Sequence, residues 1–254
     1  MNMNMNMNIN INIDFIKNQD KLQKVLTILK SLDKKFIIVD GVISAGKTTL
    51  IKLIETKINS IPDNIKIKKI NIKAIFEPVD LWTSTGALSY FYDNIPQHCY
   101  EFQTYTYITR INSIIDAIYN NPDADIYLLE RSIWTDRYIF MELLKDIVGP
   151  LRMTMYNQWC DLWSYILPMR IDRWVLLDTS LDESLRRINI RNRIAETGIT
   201  MEYQTNLYNK HIEFYNTLTS THKDVVIIKN NLMNADFIND ETILNSIIKQ
   251  IITF

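Results

Sequence analysis

Apolar residues along this chain fall into two alternating patterns. Short continuous runs, Phe36–Val39, Lys69–Phe76, Ile126–Leu129, Trp174–Leu177 and Val225–Ile228, read as buried strands. Between them, apolar residues recur every three or four positions, which reads as helix. Leu22, Val25, Leu26, Leu29 and Leu32 predict an amphipathic helix over 14–31, which either packs on the domain or serves a partner or membrane surface. Further helices are expected from the residues after Gly46 to Lys57, over Gln97–Tyr119, Trp134–Asp146, Leu151–Ile166, Asp182–Asn192 and Met201–Leu218, and from Asp240 onward. Asn120-Asn121-Pro122 stops the second of these. Strands alternating with helices imply an α/β fold with a parallel, doubly wound sheet.

Composition narrows the function classes. The 254 residues suffice for one large domain, and neither an internal repeat nor a linker divides 14–254. Met1 to Ile13 alternates Met or Ile with Asn and reads as a low-complexity tail. A net charge of -1 with scattered lysines argues for no nucleic-acid partner, and no apolar run reaches membrane-spanning length. Cys99 and Cys160 look like ordinary thiols of a reducing compartment, so a cytoplasmic location is expected. His98, His211 and His222 show no metal-ligand spacing and are assigned no chemistry.

Two of only five glycines bracket Gly41-Val42-Ile43-Ser44-Ala45-Gly46-Lys47-Thr48, the phosphate-loop pattern G-x-x-x-x-G-K-S/T directly behind a strand. Glycines let the backbone N–H groups curl around a phosphate, and the following helix presents its positive end. Lys47 is expected to reach the outer phosphates and the Thr48 hydroxyl to ligate magnesium, with Thr49 completing the ATP-binding segment. In a parallel sheet the chemistry collects beyond the carboxyl ends of the strands, where Asp40, Glu77-Pro78 and Glu130-Arg131 stand. Phosphoryl transfer requires a proton acceptor and a metal-holding carboxylate, assigned to Glu77 and Glu130 respectively. Arg187 and Arg191, four apart on one helix face with Arg193 beyond, suit a phosphate clamp because guanidinium forks bind oxygens in pairs.

At these residues the chain resembles the deoxynucleoside kinase family, from about Phe36 to Phe237. Glu77-Pro78-Val79-Asp80-Leu81-Trp82 is similar to the family's E-P-V-x-x-W segment, Phe102-Gln103-Thr104-Tyr105 to its F-Q-x-Y helix, and Glu130-Arg131-Ser132 to its E-R-S motif. The resemblance implies a P-loop kinase with a five-stranded parallel sheet and an arginine-rich lid over about 187–197. It implies magnesium and ATP as cofactors, and a deoxynucleoside as substrate, phosphorylated on its 5′-hydroxyl. Glu77 would be the general base, Arg131 would hold Glu77 and the incoming phosphoryl group, and Lys47 with the lid arginines would neutralise charge. Trp82, Tyr92, Phe102, Gln103, Phe140 and Glu196 would bind the nucleoside, with Tyr92 and Glu196 on the 3′-hydroxyl. Asp236 and Phe237 would cover the donor adenine.

Arg110, two turns after Gln103, and Asp136 match a charged pair of the family, which implies deoxycytidine or a purine deoxynucleoside rather than thymidine. A homodimer built from the helices around 97–119 and 134–166 is also implied. Three departures stand out: Asp40 and Val42 flank the first loop glycine in place of Glu and Asn, and Pro96 falls one position late. Two alternatives remain open here. A thymidylate kinase shares the loop and the Glu-Pro strand end, but usually has Arg where Phe76 stands and D-R-Y in place of Glu130-Arg131-Ser132. A non-catalytic relative would be expected to lose Lys47, Glu77 or a lid arginine, and all are present.

Overall fold

The computed structural model describes residues 17–60, 70–191, 200–229 and 237–253. Five strands form one all-parallel sheet: β1 (Lys35–Gly41), β2 (Ile72–Ile75), β3 (Ile126–Glu130), β4 (Arg173–Asp178) and β5 (Val225–Lys229), in the order β2-β3-β1-β4-β5. All five expected strands are present. β1 and β3 run further than the apolar runs suggest, so that Gly41 and Glu130 are themselves strand residues.

The central strands are apolar throughout because both faces are covered. Phe36 and Ile38 of β1, Tyr127 and Leu129 of β3, and Trp174 and Leu176 of β4 face one core. Ile37 and Val39, Ile126 and Leu128, and Val175 and Leu177 face the other. The first core is filled by helix α1, residues 17–30, through Val25 and Leu29, and by residues further along the chain. The second is closed by α2 (Lys47–Asn59) and the C-terminal helix Glu241–Ile252. Full burial of one such side chain stabilises by about 1.5–3 kcal/mol, so a polar substitution at the fully buried Ile38 would destabilise the first core.

Two regions differ from the sequence reading. The stretch between the second expected strand and the helix expected at Gln97, to which the sequence reading assigned no element, contains α3 (Val79–Ser84) and α4 (Ala87–Asp93), joined through Gly86 with φ 75°. Pro78, the Ser-Thr run and Gly86 masked them. Each helix is under two turns, too short for a period to emerge. The long helix α5 (Ile95–Asn120) then starts at Asn94, whose side chain caps the Gln97 N–H at 3.3 Å. Pro96 lies in its first turn, where a missing N–H costs nothing.

The expected helix Trp134–Asp146 is not continuous. A capping box between Ser132 and Thr135 opens a short turn, α6 (Ile133–Thr135), which widens into π-helix over Asp136–Met141 before α7 (Lys145–Val148). The remaining helices are α8 (Pro150–Ile166), α9 (Leu181–Arg191), α10 (Met201–Thr221) and α11 (Glu241–Ile252). No helix among the described residues is long and apolar enough to cross a membrane. The expected tail Met1 to Ile13 lies outside the described residues.

Candidate active site

At the carboxyl ends of β1, β2 and β3 lies a cavity of about 690 Å³. Loop residues Ile43 to Thr49 line it, together with Arg187 and Arg191 of α9 and Phe237. So do Trp82, Tyr92, Phe102 and Gln103, and between these sets Glu77, Glu130, Arg131 and Phe140. Folding thus brings most of the expected site residues into one cavity. Arg193, Glu196 and Asp236 lie outside the described residues.

The loop's geometry follows from its glycines. A Cβ on Gly41 would stand 2.9 Å from the Ala45 Cβ and 3.1 Å from that of Leu177, so β1 can approach β4 only without a side chain. Gly46 turns left-handed, φ 91°, into α2. Lys47 folds back onto the carbonyls of Gly41 and Val42, at 3.1 and 3.0 Å. Burial, reinforced by the Arg131 charge, lowers its ammonium to about 8, although Glu77, Glu130 and Asp40 pull the other way.

Asp40, one of the departures, has a structural use. It accepts hydrogen bonds from the Gly41 N–H at 2.7 Å and the Thr135 hydroxyl at 2.5 Å, and stands 3.4 Å from Arg131 Nη1. It therefore ties the loop entrance to the end of β3.

The Thr48 hydroxyl donates to Glu130 Oε1 at 2.6 Å. Both oxygens are hard donors, and the hydroxyl can keep that bond while offering a lone pair to a cation. Among the described residues no group of three or more His, Cys, Asp or Glu side chains could hold a metal. Magnesium needs only one or two protein oxygens when phosphates and water supply the rest, so Thr48 and Glu130 fit it.

Glu77 sits between two guanidinium groups. Its Oε1 accepts from Arg110 Nη2 at 2.7 Å, and its Oε2 lies 3.4 Å from Arg131 Nε. Burial alone would raise this carboxyl, but Arg131, Arg110 and Lys47 outweigh it and hold Glu77 at about 2. Glu130 moves the other way, raised by burial and by the Glu77 charge. The two carboxyls of one site are thus shifted in opposite directions, Glu77 down and Glu130 up.

Arg131 has φ 62°, one of two non-glycine residues with positive φ among those described. Such a backbone costs about 1–3 kcal/mol and persists where the surroundings over-determine it. Here the Arg131 N–H bonds the Val39 carbonyl at 2.9 Å, and the guanidinium lies 4.8 Å from the Phe140 ring centroid.

Arg110 and Asp136 form the expected pair: Arg110 Nε and Nη2 donate to the two Asp136 oxygens at 2.6 and 3.0 Å. Nη1 also donates to the Glu130 carbonyl at 3.0 Å. Both side chains are buried, yet neither lines the cavity. The pair meets the cavity through Glu77, which Arg110 holds.

The aromatic wall contains residues the sequence reading missed. Phe91 of α4 stacks on Phe102 with centroids 4.5 Å apart, and Tyr203 of α10 stands edge-on to Phe91 at 6.4 Å. Trp82 is edge-on to Phe102 at 6.0 Å, its indole N–H donating to Thr109 Oγ1 at 2.9 Å. The Gln103 amide lines the cavity and makes no hydrogen bond among the described residues, so its donor and acceptor are both available. Arg186 also lines the cavity and was not expected. It and Arg187 grip Glu183, at 2.8 and 2.5 Å, and the Arg186-Arg187 doublet was the available signal.

Known proteins resemble this chain over most of its length. Residues 37–254 match the profile of the family described as deoxynucleoside kinase. A probable deoxycytidine kinase of Fowlpox virus is 29% identical over 222 residues, 87% of this chain and 88% of its own. Deoxycytidine kinase 2 of Gallus gallus is 29% identical over 86% of this chain and 89% of its own. A deoxyadenosine kinase of Dictyostelium discoideum is 30% identical over 73% of this chain and 68% of its own.

Proposed function

The chain belongs to the deoxynucleoside kinase family, and from that premise we propose that it transfers the γ-phosphoryl group of magnesium-bound ATP to the 5′-hydroxyl of a deoxynucleoside. The observation that carries this reading is the position of Glu77. An ionised carboxylate is gripped by Arg110 and Arg131 in the same cavity as a phosphate loop, an aromatic wall and the unengaged Gln103 amide.

A carboxyl near 2 is a weak base. In a loose phosphoryl-transfer transition state the hydroxyl proton leaves late, however, so an always-ionised, fixed acceptor suffices. Glu77 orients the hydroxyl and takes its proton. Arg131 and Lys47, with Arg187 and Arg191, compensate the charge that spreads over the phosphoryl oxygens. Magnesium, held by Thr48 with Glu130 in its shell, would supply charge neutralisation at the phosphates. Phe102 offers a stacking surface for the base, and Gln103 can both donate to and accept from its edge.

Two finer points belong to the same proposal. The substrate is deoxycytidine or a purine deoxynucleoside rather than thymidine. The Arg110–Asp136 pair supports this, as do relatives named deoxycytidine and deoxyadenosine kinase. The enzyme acts as a homodimer. Leu151, Met155, Trp159 and Leu162 are 74, 44, 52 and 47% exposed along one side of α8, an apolar stripe that a second copy would cover. The test of the reading is ADP formation from ATP. It should require a deoxynucleoside and stop when EDTA removes magnesium; ADP release indifferent to nucleoside would overturn the proposal.

A further inference from the structure

His211, to which sequence reasoning assigned nothing, is completely buried on α10 and touches Arg131. Its Nδ1 lies 2.8 Å from the carbonyl oxygen of Leu207, one turn back, and its Nε2 lies 3.0 Å from Arg131 Nη1. A carbonyl can only accept and a guanidinium can only donate. Nδ1 therefore carries the proton, and Nε2 presents a lone pair to Arg131. Burial, and then the neighbouring Arg131 charge, lower the imidazole to about 3, so the ring is neutral where the enzyme works. Phe140 completes the frame, its ring perpendicular to His211 and flat beneath Arg131.

Resting on the reading of Arg131 as a phosphoryl-holding group, we infer that His211 is a positioning residue, whose neutral imidazole fixes Arg131 Nη1 so that Nε faces Glu77 and Nη2 serves the transferring phosphoryl group. Neither Nε nor Nη2 makes a hydrogen bond among the described residues; Nε stands in the 3.4 Å ion pair with Glu77, which leaves Nη2 for the phosphoryl oxygens. The choice of histidine has a chemical reason. Arg131 already has two carboxylate neighbours, Asp40 and Glu77. A third anion would neutralise the charge the phosphoryl oxygens need, whereas a neutral acceptor orients the fork and leaves that charge intact. The same helix brings Tyr203 into the cavity, so α10 fixes one wall of the pocket and the catalytic arginine together.

The experiment compares three variants in full steady-state kinetics. His211→Gln places an amide oxygen near the Nε2 position, His211→Asn reaches only the Nδ1 position, and His211→Phe keeps the ring and removes both nitrogens. His211→Phe and His211→Asn should each lose about 10–100-fold in kcat, the range that goes with one hydrogen bond to a charged group. Nucleoside KM should stay within a few-fold, and His211→Gln should recover to within about five-fold of wild type. Equal losses in Gln and Asn would show that His211 only fills space, and so would a loss confined to KM or kcat unchanged in all three. If His211→Phe fails to fold, the Gln-to-Asn ratio decides alone. A readout free of activity separates this inference from the kinase reading: long-range proton–nitrogen NMR at neutral pH should show His211 as the Nδ1–H tautomer. An Nε2–H or doubly protonated ring would overturn the inference even in an active kinase.

Discussion

Removing the Asp136 carboxylate should damage the protein more than removing Asp136 and Arg110 together. Arg110 is 4% exposed, and two of its four hydrogen bonds end on Asp136. Asp136→Ala leaves this guanidinium buried with Glu77 as its only carboxylate. Breaking a buried pair costs about 3–5 kcal/mol. Because Glu77 remains as a counter-charge, the lower end applies, about 3 kcal/mol. Arg110→Met with Asp136→Ala removes both charges of the pair, an exchange that is often near neutral, and Glu77 keeps Arg131 as its counter-charge. The double variant should therefore lie within about 1.5 kcal/mol of wild type, and the pair should be non-additive by more than about 2 kcal/mol. Urea unfolding with an unchanged m-value measures each arm of the cycle. Additive arms, or a double variant less stable than Asp136→Ala, would refute the reasoning. The double variant should also turn over thymidine better relative to deoxycytidine, and an unchanged ratio would refute the part assigned to the pair in base choice.

Three further outcomes are expected. Glu77→Gln keeps the shape but cannot accept a proton, so kcat should fall by about 10²–10⁴ with little change in nucleoside affinity; turnover within a few-fold of wild type would move the role to Glu130 or Asp80. Lys47 loses its proton as pH rises through about 8, so kcat/KM for the triphosphate should fall above that pH. The kcat, measured with phosphates bound and holding the ammonium charged, should stay level there, and a flat kcat/KM up to pH 10 would contradict this. Trp159→Glu, on the exposed stripe of α8, should yield monomers by light scattering with a native circular-dichroism spectrum. A wild-type protein already monomeric at micromolar concentration would remove the dimer from the proposal.

What the sequence made legible was whatever is contiguous. The phosphate loop, Glu77-Pro78 and Glu130-Arg131-Ser132 are strings whose spacing carries their chemistry, and the two-sided burial of β1, β3 and β4 shows as unbroken apolar runs. Arg110 and Asp136 could be paired only because a family pattern linked positions 26 residues apart. Phe91 and Tyr203 had no such aid, since their place in the wall depends on two unpredicted short helices and on how α10 packs. His211 looked inert because its partner is 80 residues away, and nothing local marks a histidine that accepts from a buried arginine. The π-helical turn that carries Asp136 was hidden because a single widened turn leaves the apolar spacing of 134–146 almost unchanged.

The most direct test of the central claim is product analysis. Purified protein with magnesium and γ-labelled ATP is offered deoxycytidine, deoxyadenosine, deoxyguanosine, thymidine and thymidine monophosphate in parallel. The account predicts labelled 5′-monophosphates of deoxycytidine or a purine deoxynucleoside, little from thymidine and none from the monophosphate. Labelled thymidine diphosphate, with every nucleoside left unreacted, would contradict it.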